Sequence, residues 1–113
     1  MPYTIYAEGL YRAIQEVSAL GLPIYITENG AADNREDGLR RDMWIKRYLY
    51  ATHKAIQDGF DVRGFFYWSL IDNYEWNLGY VQKFGLYKVD METKERTLRN
   101  GTDFFIKMAM AQA

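Results

Sequence analysis

At 113 residues, with 49% hydrophobic and 26% charged side chains, the chain has the length and composition of one modest globular domain. A formal net charge of -1 and a pI near 5.8 exclude a polybasic nucleic-acid surface and an acidic tail. No apolar run approaches a membrane span, residues 1–4 lack the charged-then-apolar layout of a signal peptide, and zero cysteines exclude a disulfide framework or thiolate metal site. A cytoplasmic location is the default expectation.

Taken in order, residues 8–20 carry Leu10, Ala13, Ile14 and Val17 at helical spacing with Arg12, Gln15 and Glu16 between them, which predicts an amphipathic helix. Gly21 ends it and Pro23 prevents its continuation. Ile24-Tyr25-Ile26-Thr27 has no polar alternation and predicts a parallel strand covered on both faces. A polar loop over 31–41 follows, then a helix over 42–58 with Ile45, Tyr48, Leu49, Thr52 and Ile56 on one face, closed by Gly59. Residues 62–67 predict a second buried strand, so that strand, helix and strand make a βαβ unit with a right-handed crossover.

Residues 79–83 read as loop, 84–89 as a short extended piece and 91–100 as a charged turn. A last helix is expected from Thr102, its N-cap, with Phe105, Met108 and Ala109 on one side. The result is an α/β order of helix, strand, helix, strand, helix. Two parallel strands with free edges are not a complete sheet, and such edges invite pairing with another chain. The pattern therefore predicts a piece of a larger α/β structure, or a subunit that assembles to close one.

Aromatic residues make up 17% of the chain, with ten Tyr, six Phe and three Trp. Most belong in a core, but the run from Phe65 to Trp76 carries an apolar strand straight into two tryptophans, an asparagine and two acids. Glu28 falls at the end of the first strand and Glu75 just beyond the second, so neighbouring strands aim carboxylates at one rim. Paired carboxylates flanked by tryptophans suit glycoside hydrolysis, since sugar C–H faces pack flat on indoles and hydroxyls seek charged acceptors. A structural role, with each glutamate salt-bridged to Arg or Lys, is equally compatible with these positions. His53, the single histidine, sits beside Lys54 on a helix and reads as surface, with no second ligand for a transition metal. Asp33, Asp37 and Gly38 lack the alternating acids and terminal glutamate of a calcium loop and read as solvated. The glycines form no phosphate-cradling pattern.

At Ile26-Thr27-Glu28-Asn29-Gly30, and again from Tyr67 to Trp76 and at Lys83-Phe84-Gly85-Leu86, the sequence resembles the family 1 glycoside hydrolases, retaining β-glucosidases and β-galactosidases on a (β/α)8 TIM barrel. The resemblance covers nearly all of 1–113 and implies a single C-terminal fragment, a partial barrel corresponding to the last two βα units. It implies Glu28 as the nucleophile that forms a glycosyl-enzyme intermediate. Trp68 would wall the sugar and aglycone site, Glu75 would accept hydrogen bonds from outer hydroxyls, Trp76 would donate its indole N–H and Phe84 would line the pocket. The family's acid/base glutamate lies in a Thr-x-Asn-Glu-Pro stretch that this sequence does not contain. Residues 98–101 also depart from the usual Pro-Lys-x-Ser, so the last helix is expected to pack differently with the pocket residues untouched.

The implied function is hydrolysis of terminal β-D-glucosides or β-D-galactosides by an enzyme of which this chain is a part, the chain alone being nearly inactive on unactivated glycosides. The alternatives are a non-catalytic self-assembling or sugar-binding barrel fragment, and a bare truncated piece. The implied partners are the substrate and either the remaining barrel segment or further copies of the chain. No cofactor, metal, nucleic acid or membrane is implied.

Overall fold

Apolar residues four and three positions apart turn each helix into a one-sided element that must be buried, and in the computed structural model, which describes residues 4–111, three helices do so against one face of a small parallel sheet. The chain runs α1 (Ala7–Ser18), β1 (Ile24–Asn29), α2 (Leu39–Gln57), β2 (Val62–Tyr67), a 3-10 turn (Trp76–Leu78), β3 (Tyr87–Val89), β4 (Arg96–Leu98) and α3 (Asp103–Ala111). β1 and β2 pair in parallel, with Ile24 opposite Val62 and Asn29 opposite Tyr67. α1 packs on β1 and α2, α2 on β2, and α3 reaches the sheet through Phe105, whose ring lies 5.6 Å from Tyr67 and 6.4 Å from Phe65.

The core has two adjoining parts. Ile14, Ile24, Ile26 and Ala55 meet between α1, α2 and the sheet, with Phe60, Val62 and Phe65 packed against them. Ala7, Ala31, Trp44, Tyr48 and Ala51 form the second, where the Trp44 and Tyr48 rings stack at 4.5 Å. α2 begins at Leu39 rather than Asp42, because Asp37 accepts a hydrogen bond from the Leu39 amide (3.0 Å) and the helical ladder starts from the Gly38 carbonyl. It ends as expected: Gly59 at φ +96° lets its own amide reach the Ile56 carbonyl (3.0 Å) and the Phe60 amide reach that of Ala55 (3.1 Å), closing the helix in a Schellman turn.

Three expectations are overturned here. The strands are covered on one face only, because all three helices pack on the Ile24/Ile26 side; Tyr25 is 55% exposed and Phe66 57%. The charged stretch 91–100 contains a strand, since β3 and β4 form an antiparallel hairpin. Its turn is organised by Asp90, whose Oδ1 accepts the Glu92 and Thr93 amides at 2.8 Å. Finally, Asp33 is buried rather than solvated, paired with the Arg35 Nε at 2.9 Å. Thr102 precedes α3 as expected, its hydroxyl donating to the Arg99 carbonyl at 2.8 Å.

α1 is also tied to the end of α2 through Asp58, which accepts hydrogen bonds from Lys54 Nζ and the Tyr11 hydroxyl, both at 2.6 Å. These two donors, Lys54 foremost, hold the Asp58 carboxyl below its ordinary value of 3.8. A depressed folded-state pKa means stability present above the ordinary value and lost as pH falls through the depressed one. Asp58→Asn is therefore expected to melt at a lower temperature than the parent chain at neutral pH, with the gap closing as acid protonates Asp58. A gap that persists in acid would count against this account.

Candidate active site

The carboxyl ends of β1 and β2 are locked together by backbone. The Trp68 amide donates to the Asn29 carbonyl at 3.0 Å, continuing the parallel ladder beyond Tyr67. A Cβ on Gly30 would lie 1.9 Å from the Trp68 carbonyl oxygen, so only glycine allows the two strand ends to approach this closely. The Trp68–Ser69 peptide is cis. From there residues 69–72 run beside 84–87: the Leu86 amide donates to Ser69 O and Tyr87 to Leu70 O, both at 2.9 Å, and the Asp72 amide donates to Tyr87 O at 3.2 Å. The rim then folds over itself, with the Glu75 amide on the Gly79 carbonyl at 2.8 Å and Trp76 at φ +42°.

This backbone frames a cleft of about 720 Å³ lined by Glu28, Trp68, Glu75, Trp76 and Phe84 together with Asn29, Trp44, Asn73 and Tyr74. All five site residues expected from the sequence meet there. Such a volume accommodates a small ligand. Trp76 is 82% exposed and stands at the mouth, Trp68 is 38% exposed, and Phe84, at 5%, is buried in the wall. Among the described residues neither Glu28 nor Glu75 takes part in an ion pair. The alternative of two salt-bridged structural glutamates is thus not what the described residues contain; both carboxylates line the cleft.

The sequence reading left out Trp44, which lines the cleft from α2 and donates its indole N–H to Asn29 Oδ1 at 3.1 Å. The signal was available: Trp44, Tyr48, Ala51 and Ala55 follow helical spacing on the buried face of α2. It also left out two buried arginines that support the rim from outside the cleft. Arg41 Nη2 donates to the carbonyls of Asp33 (2.9 Å) and Lys83 (2.8 Å), tying the loop after β1 to the segment before β3 that carries Phe84. Arg99 Nη2 lies 2.6 Å from Asp72 Oδ2. Burial lowers the Arg41 guanidinium from its usual value and raises the nearby Tyr67 phenol. Arg99 lies in the stretch that departs from the family's usual residues, and it reaches the segment between the two rim tryptophans.

A parallel β-α-β core with carboxylates and tryptophans at the carboxyl ends of its strands places the chain among α/β proteins, in which ligand sites lie at those strand ends. The family described as Glycosyl hydrolase family 1 matches residues 1–113. A β-galactosidase of Pyrococcus woesei is 44% identical over 97 residues, covering 86% of this chain and 19% of that protein. A bifunctional β-D-glucosidase/β-D-fucosidase of Bifidobacterium breve is 38% identical over 118 residues, covering 93% of this chain and 26% of the relative. The solved β-glycosidase from Pyrococcus horikoshii superimposes with a TM-score of 0.89 at 44% identity, over 96% of this chain and 25% of that one. The chain belongs to glycosyl hydrolase family 1 and spans about a fifth to a quarter of the length of these relatives.

Proposed function

We propose that this chain supplies the nucleophile and the outer sugar contacts of a retaining β-glycosidase acting on terminal β-D-glucosides or β-D-galactosides, as the last two βα units of a (β/α)8 barrel. The observation that carries the reading is the cleft itself, in which Glu28 and Glu75 stand without ionic partners among the described residues, between Trp68, Trp76 and Phe84. Glu28, held by β1, attacks the anomeric carbon; Glu75 accepts from sugar hydroxyls, to which Trp76 donates; Trp68 and Phe84 pack on the ring. The leaving-group oxygen needs a proton from a general acid, worth roughly 100- to 10,000-fold in rate, and the sequence holds no Thr-x-Asn-Glu-Pro stretch to provide it. The remaining barrel segment is then the partner that completes the site.

The test is hydrolysis by the purified chain of p-nitrophenyl β-D-glucoside, whose leaving group makes little demand on an acid, beside an unactivated β-linked disaccharide. Release of p-nitrophenol that Glu28→Gln removes, with no cleavage of the disaccharide, is the expected result. Enzyme-like turnover of the disaccharide by the chain alone would defeat the claim that more of the barrel is required. Release indifferent to Glu28→Gln would defeat the nucleophile.

One observation favours a second reading, a self-assembling or sugar-binding module without catalysis: the bare sheet face at Tyr25 and Phe66 and the free strand edges beside it. Such a surface is a template for pairing with another copy. Light scattering separates the two, since a stable monomer with a cooperative melt excludes assembly.

A further inference from the structure

We propose that Asp72 and Arg99 form a buried latch by which the β3–β4 hairpin sets the position of the tryptophan rim. The idea deepens the reading of that rim as a sugar site, but its geometry stands without it. Asp72 lies midway between Trp68 and Trp76, with its side chain 2% exposed, and Arg99, 7% exposed, follows directly on β4. Both carboxylate oxygens are engaged: Oδ2 by Arg99 Nη2 at 2.6 Å and Oδ1 by the Gly85 amide at 3.1 Å. The Arg99 amide donates to the Leu86 carbonyl at 2.8 Å, so its backbone is fixed to the same segment leading into β3 that Asp72 grips at Gly85.

The arrangement is that of a positioning device. A buried pair of opposite charges adds little net stability over an apolar pair, and its best-attested use is to fix one register among several. Here the register at stake is that of residues 69–72 against 84–87, which decides where Trp68 leaves the sheet and where Glu75 and Trp76 begin. Arg99 Nε is buried without a hydrogen-bond partner, so the guanidinium's burial is compensated chiefly through Asp72. Downstream, Trp76 holds φ +42°, in the left-handed region, and a non-glycine residue stays there only where its surroundings leave no alternative. Neither Asp72 nor Arg99 lines the cleft, so both act through the residues that do.

The test uses the whole chain and no sugar, so that it can fail or succeed independently of the proposed activity. Nuclear magnetic resonance reads the indole N–H signals of Trp44, Trp68 and Trp76 and the exchange rates of single amides in Arg99→Met, Asp72→Asn and Arg99→Lys. In Arg99→Met, the Trp68 and Trp76 indoles should shift or broaden and the Glu75 amide exchange at least about 10-fold faster. The Trp44 indole, bonded to Asn29, and the Ile26 and Phe65 amides of the sheet should keep their parent values. Asp72→Asn, which keeps the shape of the side chain, should reproduce the effect should Arg99→Met not fold, and Arg99→Lys should restore part of the parent spectrum. Rim signals unchanged in both Arg99→Met and Asp72→Asn would overturn the latch. So would loss of rim and sheet signals together in Asp72→Asn, which would make the pair a general support of the fold.

Discussion

Glu28→Gln is expected to lower turnover of p-nitrophenyl β-D-glucoside on the order of a million-fold once the chain is combined with the preceding segment of a family 1 enzyme, the scale seen when a hydrolase loses its covalent nucleophile. The substitution is nearly isosteric, and Glu28 is exposed at the end of β1 with no ion pair among the described residues, so the fold has little to lose. The loss should therefore fall on kcat, with the melting temperature of the complex unchanged. Steady-state kinetics and a thermal melt on the same preparation check both halves. Retention of more than about a hundredth of the activity would rule Glu28 out as the group that forms the glycosyl intermediate, because a positioned acid or base alone accounts for effects of that size.

Gly30→Ala is expected to act on the same site by purely steric means. The added methyl would meet the Trp68 carbonyl oxygen at 1.9 Å and its carbon at 2.9 Å. These are backbone atoms held by the Trp68–Asn29 hydrogen bond, so no flexible side chain can swing aside. Overpacking of this kind costs about 1–3 kcal/mol, and shifting a sugar-contacting wall by about 1 Å costs on the order of 100-fold in rate where the site is complete. Urea denaturation followed by tryptophan fluorescence reads the first effect and the complemented assay the second. A Gly30→Ala chain with the parent midpoint and emission spectrum would show that the strand ends can separate freely.

How much of this was legible in the sequence depends on how far apart the cooperating residues lie. The order of helices and parallel strands follows from local periodicity and from Gly21 and Gly59, so β2 falls on 62–67 as expected and α1 within two residues. The rim was legible because Phe65 to Trp76 carries its chemistry in one unbroken run. The hairpin was not: β4 is a three-residue strand with every residue exposed, so it has no apolar alternation, and its turn depends on Asp90 capping amides two and three residues on. The bare sheet face was missed because Ile24-Tyr25-Ile26-Thr27 looks the same whether Tyr25 faces a second layer or water. Arg41 and Arg99 escaped for another reason, since Lys83 and Asp72, through which they hold the rim, lie 42 and 27 residues away and a basic residue in a polar stretch is ordinarily solvated.

The exposed Tyr25 and Phe66 side of the sheet also has a colloidal consequence. With a net charge of only -1 at neutral pH and a pI near 5.8, the chain carries almost no long-range repulsion to keep copies apart. Its solubility should pass through a minimum in mildly acidic buffer, and its light-scattering second virial coefficient should turn negative there. Replacing Tyr25 and Phe66 by lysine would raise both.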